Sequence, residues 1–324
     1  MLDLLIFLFL FVIGYLVIFF AADLFLDNLK EICLIYGLSP FIVGSLVLGI
    51  DPEESIASII AAINGLPYIA VGNVIGNSII ALTISFALPA FFYKINFKST
   101  PQFYFFLLYC CMIFIAIGFL VKYGFIVVGI IVIIMYFIYL KINLKRLNQE
   151  RIVEIISNKK ELHNDVNQEI IKNSKRKKII LIIIGFIFIF LGGELLIYSA
   201  EQIIKLTTIP EAFFGLVIIA FVTNVEELTL VFKSIKKKSV EIGLGGMIGK
   251  VFWNLAITFG ISGIIIINFN FSLIFFWNWL ILFTILIYFN YMAIKKQIYW
   301  KDGIILIIFF LIFLFLNFIW GILF

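Results

Sequence analysis

Ten apolar stretches, each close to the length of a membrane-crossing helix, take up most of this chain: 2–26, 38–63, 69–93, 102–121, 123–141, 179–200, 211–233, 243–268, 273–293 and 303–323. Crossing the bilayer's hydrocarbon takes roughly 20 residues of helix, and backbone groups there find no water to bond, so only helices or closed barrels can cross. Runs such as Ile179 to Leu191 and Ile304 to Leu316 are continuously apolar, without the two-residue alternation that a barrel strand needs. With 64% hydrophobic and 13% charged residues among 324, the chain could not cover a soluble domain of this size with polar surface. The expectation is an all-α polytopic membrane protein. The first stretch begins with Asp3 instead of a basic segment and lacks a small-residue cleavage site, so it reads as a retained span.

Basic residues accumulate in cytoplasmic loops near span ends. With ten spans and the N-terminus outside, 21 of the 24 Lys and Arg fall on the cytoplasmic side, only Lys122 and Lys205 fall outside, and Lys250 lies within a span. Five spans precede and five follow a hydrophilic loop, which divides the chain into a first five-helix repeat (1–141), a basic cytoplasmic loop (142–178) and a second five-helix repeat (179–324). That loop ends in Lys175-Arg176-Lys177-Lys178 and reads as a partly helical, solvated linker. Its basic end suits anionic lipid better than nucleic acid. An integral protein of the cell membrane is expected, with the loop in the cytoplasm.

Because each half has an odd number of spans, a repeat between them must be inverted in the membrane. Glu54, Gly72, Gly76 and Asn77 correspond to Glu227, Gly245, Gly249 and Lys250 at a constant offset of 173 positions, and Ala22-Asp23-Leu24 echoes Gly193-Glu194-Leu195.

The chemistry concentrates at mid-span. The second span carries Gly49-Ile50-Asp51-Pro52-Glu53-Glu54-Ser55, and the seventh Val222-Thr223-Asn224-Val225-Glu226-Glu227-Leu228. An ionisable group at the bilayer centre costs roughly 2.5–3.5 kcal/mol on insertion scales, so Asp51, Glu53, Glu54, Glu226 and Glu227 are expected to face one another, a cation or water. The bland alternative is that they pair with Lys or cap half-helices. Pro52 and Gly49 should break the second span and free carbonyls beside the acids. Oxygen-rich groups of this kind suit hard cations such as Na⁺ and Ca²⁺. Cys33, Cys110 and Cys111 lie in apolar stretches and the one histidine, His163, in the loop, none with the spacing of a soft-metal site.

One span later come Gly72-Asn73-Val74-Ile75-Gly76-Asn77-Ser78 and Gly245-Gly246-Met247-Ile248-Gly249-Lys250-Val251. Glycines at this spacing let helices approach closely. Asn73, Asn77 and Asn254 offer neutral oxygens to a cation or hydrogen bonds to a neighbouring helix. Lys250 snorkels to an interface or, this deep, pairs with Asp51 or a glutamate and stands in as a tethered cation. Glu53 and Glu226, one residue off the face of Glu54 and Glu227, are candidate protonation sites.

These motifs resemble those of the Ca²⁺:cation antiporter superfamily, which includes the Na⁺/Ca²⁺ exchangers. Its members carry a motif like G-T-S-x-P-E on the second helix and G-N-x-x-G-S-N on the third, repeated in the second half. The resemblance implies ten transmembrane helices in two inverted-topology five-helix repeats, sodium/calcium exchanger-like. It implies cation binding by Glu54 and Glu227, which would hold a divalent metal ion, with Asp51, Thr223, Asn224, Asn73, Asn77 and Asn254 around them. Spacing to the Gly-Asn motif selects Glu54, whereas the Pro-Glu dipeptide would select Glu53. Ile50, Asp51, Asn224, Ala81 and Lys250 depart from the pattern, and with them the usual Na⁺ stoichiometry.

The expected function is secondary active antiport, exchanging Ca²⁺ or another cation for Na⁺ or H⁺ by alternating access, with lipid and inorganic cations as partners and no cofactor. The alternative is a non-transporting member that binds an ion or a partner. An enzyme ranks last, for want of a nucleophile triad, a His pair or a phosphate loop.

Overall fold

The computed structural model describes residues 2–35, 49–96, 102–121, 123–157, 168–207, 209–224, 231–232, 235, 240–267, 269–270 and 272–323. They are nearly all helical. In chain order the helices are α1 (Leu2–Ile35), α2 (Pro52–Ile63), α3 (Pro67–Phe92), α4 (Gln102–Leu120), α5 (Gly124–Ser157), α6 (Gln168–Thr207), α7 (Glu211–Thr223), α8 (Val240–Ile265), α9 (Leu273–Lys295) and α10 (Trp300–Leu323). Eight helices among the described residues are long and apolar enough to cross a membrane. Of the expected second and seventh spans, 38–63 and 211–233, only 49–63, 211–224 and 231–232 are described.

Local chemistry sets the ends. The carboxylate of Asp51 caps α2 by accepting the Glu54 N–H at 3.2 Å, and Pro52 occupies the first helical position, where its missing N–H costs nothing. The expected break at Gly49–Pro52 is therefore a helix start, with non-helical backbone at Ile50 and Asp51. α2 stops at a left-handed Gly65, φ +73°, where Gly65 N bonds Ala62 O at 3.3 Å and Leu66 N bonds Ala61 O at 2.8 Å, and Pro67 then opens α3.

The flanks of the hydrophilic loop are helical, since α5 runs on to Ser157 and α6 begins at Gln168; the stretch 158–167, with His163, lies outside the described residues. Two short strands, Ile95–Asn96 and Gln297–Ile298, pair antiparallel and depart from the all-α expectation. They join the end of α3 to the turn between α9 and α10.

Packing is inside out relative to a water-soluble protein. Leu5, Phe9, Phe20, Ile183 and Phe315 are exposed, whereas Asp51, Glu53, Glu54, Asn73, Asn77, Lys250 and Asn254 are buried. Long apolar side chains face lipid, and polar ones face each other. Glycines bring backbones into contact at two seams. A Cβ at Gly14 of α1 would lie 2.7 Å from Leu196 N of α6, and a Cβ at Gly72 of α3 would lie 2.9 Å from Leu216 N of α7. The second seam draws the α3 asparagines against α7, and α2 and α8 pack on the remaining sides.

Candidate cation site

The polar residues of α2, α3, α7 and α8 meet in one buried network. Lys250 reaches from α8 to the start of α2, where its Nζ lies 2.6 Å from Asp51 Oδ2 and 2.9 Å from Glu54 Oε1. The three residues are 3%, 5% and 1% exposed, so this is an ion pair inside the protein and not an amine reaching an interface. One turn on, the Asn254 amide donates to Glu54 Oε2 at 2.6 Å and to Asn77 Oδ1 at 3.2 Å. Asn77 in turn donates to Thr223 Oγ1 at 3.1 Å. Asn224 donates to Ala220 O at 2.8 Å and to Asn77 O at 3.4 Å. Asn73 donates to Ser58 Oγ at 2.9 Å and to the Glu54 carbonyl at 3.3 Å.

Local structure explains the reach. α8 is α-helical over Val240–Trp253, widens into a π-helical segment over Asn254–Thr258, and resumes over Phe259–Ile265. A π turn inserts a residue and offsets the side chains after it, a device found often at functional sites. Asn254 opens that segment, and Lys250, Asn254 and Thr258 follow one another at intervals of four. α7 carries a second such segment, Phe214–Ile219, pressed against Gly72 and Gly76.

Four residues join the network that sequence reasoning did not single out. Ser55 Oγ and Thr258 Oγ1 are 2.7 Å apart, Trp253 Nε1 donates to Ser55 Oγ at 2.7 Å, and Ser55 Oγ donates to the Asp51 carbonyl at 2.6 Å. Ser58 receives Asn73. A signal existed for two of them: Ser58 stands four residues after Glu54, and Thr258 four after Asn254, on the same helical faces.

Seven of the candidate residues are thus linked directly to one another: Asp51, Glu54, Asn77, Thr223, Asn224, Lys250 and Asn254. Asn73 touches Glu54 through its carbonyl. Glu53 is buried at 4% exposure in the first turn of α2. Glu226 and Glu227 lie outside the described residues. Of the bland roles expected for the acids, Asp51 fills both, capping α2 and pairing with Lys250, and Glu54 also pairs with Lys250. For an ion, the described residues offer oxygen: the carboxylates of Asp51 and Glu54, the Thr223 hydroxyl, and the side-chain carbonyls of Asn73 and Asn224. Those two carbonyl oxygens are buried and receive no hydrogen bond among the described residues, a costly condition for an acceptor and a usable one for a cation.

Lys250 also balances charge. Removing a carboxylate and an ammonium from water costs several kcal/mol each, and mutual attraction with well-placed hydrogen bonds offsets it. Both carboxylates are held by a second donor, Asp51 by the Glu54 N–H and Glu54 by Asn254, which leaves one oxygen of each for the ammonium.

The family described as sodium/calcium exchanger protein matches this chain over residues 6–145 and 177–319. An uncharacterized membrane protein of Methanocaldococcus jannaschii is 26% identical over 241 residues, covering 74% of this chain and 75% of that protein. Among solved structures, the sodium-calcium exchanger NCX_Mj superposes with a TM-score of 0.58 at 19% identity, covering 95% of this chain and 98% of that one. The H⁺/Ca²⁺ exchanger CAX superposes with a TM-score of 0.72 at 14% identity, covering 97% and 84%. Both share the fold, and both are transporters. By a match that spans both halves and leaves out chiefly the hydrophilic linker, the chain belongs to the sodium/calcium exchanger protein family.

Proposed function

We propose that this protein is a secondary active cation antiporter whose substrate cation binds at the buried network of α2, α3, α7 and α8. The observation that carries the reading is the convergence of Asp51, Glu54, Asn77, Thr223 and Asn254 from four helices in the membrane interior, with Asn73 and Asn224 beside them holding carbonyl oxygens to which nothing described donates. Burying this many polar groups opposes stability unless they serve a ligand. Glu227 is the second divalent-ion ligand in this reading, on the strength of its correspondence to Glu54, and Glu53 and Glu226 are carboxylates that take up and release protons.

The chain is built of ten spans in two inverted halves, 1–141 and 179–324, joined by the basic linker 142–178. The constant offset of 173 positions supports this. So does a reciprocal pattern of contact: Asn77 of the first half reaches Thr223 of the second, while its counterpart Lys250 reaches Asp51 and Glu54 of the first. The distribution of Lys and Arg supports an N-terminus outside the cell membrane and a cytoplasmic linker. Ca²⁺ is the first ion to test, and Na⁺ or H⁺ the first counter-ions, because exchangers named for these ions share the fold. Alternating access follows if the halves rock about the network and open it to each side in turn.

The Lys250 ion pair also favours a second reading, a member that binds but does not transport, because an ammonium already faces two of the carboxylates. Radioactive Ca²⁺ uptake into proteoliposomes under an outward Na⁺ or H⁺ gradient separates the two. Gradient-driven uptake that is lost in Glu54→Gln and in Glu227→Gln supports antiport. A wild type that takes up no Ca²⁺ under either gradient supports another substrate cation or the second reading.

A further inference from the structure

We propose that the ammonium of Lys250 is a permanent occupant of one monovalent-cation seat of the site, so that this seat is closed to ions from solution and the exchange cycle carries one cation fewer. The seat itself rests on the cation-site reading above and not on transport; only the consequence for the exchange cycle rests on antiport. Among the described residues the seat includes two carboxylate oxygens, Asp51 Oδ2 and Glu54 Oε1, at 2.6 and 2.9 Å from Nζ. Its other sides are fixed by the protein, since Asp51 Oδ1 accepts the Glu54 N–H and Glu54 Oε2 accepts Asn254. A preoriented pair of oxygens around a single positive charge is what a Na⁺ or K⁺ ion would need, and the tethered ammonium meets it with the same charge and no association entropy to overcome.

The repeat sharpens the point. Lys250 stands where the first half has Asn77, a neutral amide, so one of two corresponding positions supplies a ligand and the other supplies a cation. Two carboxylates close together in a nearly dry interior repel each other, and a cation between them offsets that repulsion. A mobile ion would leave them bare at each release. A tethered one does not leave, which keeps α2 and α8 joined whichever side the site opens to. Asn73 Oδ1 and Asn224 Oδ1, lacking donors among the described residues, remain for the transported ion.

The test is thermal unfolding of the purified full-length protein in detergent, in NaCl, KCl or choline chloride at matched ionic strength, for wild type and Lys250→Ser. In choline the variant is expected to unfold several degrees below wild type, and Na⁺ or K⁺ is expected to restore most of the loss saturably, beyond any response of the wild type. If Lys250→Ser does not fold, Lys250→Ser with Asp51→Asn removes one charge of each sign and leaves Glu54 to hold a single cation, with a weaker response of the same kind expected. A folded variant that responds to Na⁺ and K⁺ no more than wild type overturns the proposal. Because the readout is stability, an ion response gained by the variant together with no uptake by wild type would sink the antiport reading and leave the seat standing.

Discussion

Asn254 donates its side-chain amide to Glu54 Oε2 at 2.6 Å, joining residues 200 positions apart and tying the π-helical turn of α8 to the first turn of α2. The same amide reaches Asn77, so one side chain braces a carboxylate from one helix and a carbonyl from another.

Asn254→Ala should therefore disorder the Glu54 carboxylate without adding charge. Losing one charge-assisted hydrogen bond of roughly 1.5–3 kcal/mol predicts a fall in cation affinity of about tenfold or more. Cation-dependent uptake by reconstituted protein measures it. Affinity unchanged within twofold would mean that Asn254 does not orient Glu54.

Glycines of the two related motifs, though not at matched positions, should respond differently to the same change. A Cβ at Gly76 would lie 2.0 Å from Leu216 O, whereas a Cβ at Gly245 meets nothing within 4 Å among the described residues. Gly76→Ala should cost about 1–3 kcal/mol by forcing α7 away from α3. Gly245→Ala should stay within about 0.5 kcal/mol of wild type. Thermal unfolding in detergent ranks them, and equal shifts would contradict the close contact of α3 and α7.

Asn278 of α9 and Asn317 of α10 exchange amide hydrogen bonds at 3.0 and 2.8 Å in an otherwise apolar seam. Asn317→Leu strands a buried amide and should cost about 1–3 kcal/mol, while Asn278→Leu with Asn317→Leu should recover most of it, since replacing both partners by apolar groups is nearly neutral. A double-mutant cycle without positive coupling would show that the pair contributes nothing specific.

Asp302 anchors the turn before α10, where its carboxylate accepts Tyr299 N–H at 2.7 Å and Tyr288 O–H at 2.8 Å and faces Lys295 at 3.3 Å. Asp302→Ala leaves these donors unanswered and should lower stability by about 1–3 kcal/mol, whereas exposed Lys301→Ala should remain within about 0.5 kcal/mol. Comparable unfolding temperatures for the two variants would refute the anchoring role.

The sequence by itself determined the solvent, the class of element and the internal correspondence. Apolar runs such as Ile179 to Leu191 can only be helices in lipid, Pro52 marks a helix end that the structure shows as a cap, and the match of Gly72-Asn73 to Gly245-Gly246 is a fact of spacing. The first two are local properties, set by neighbours within a few residues, and the third is read by comparing two stretches of the sequence. Only the tertiary structure decided that Lys250 faces both Asp51 and Glu54, that Asn254 holds Glu54, and that Ser55, Ser58, Trp253 and Thr258 belong to the same network. It also decided that Gly72 and Gly76 are pressed against α7, while Gly245 meets no close neighbour among the described residues. The reason is geometric: a buried polar partner depends on the rotation and axial offset of a helix distant in the chain, and the π-helical turn at Asn254–Thr258 shifts that rotation by a residue's width without leaving a mark in the hydrophobic pattern.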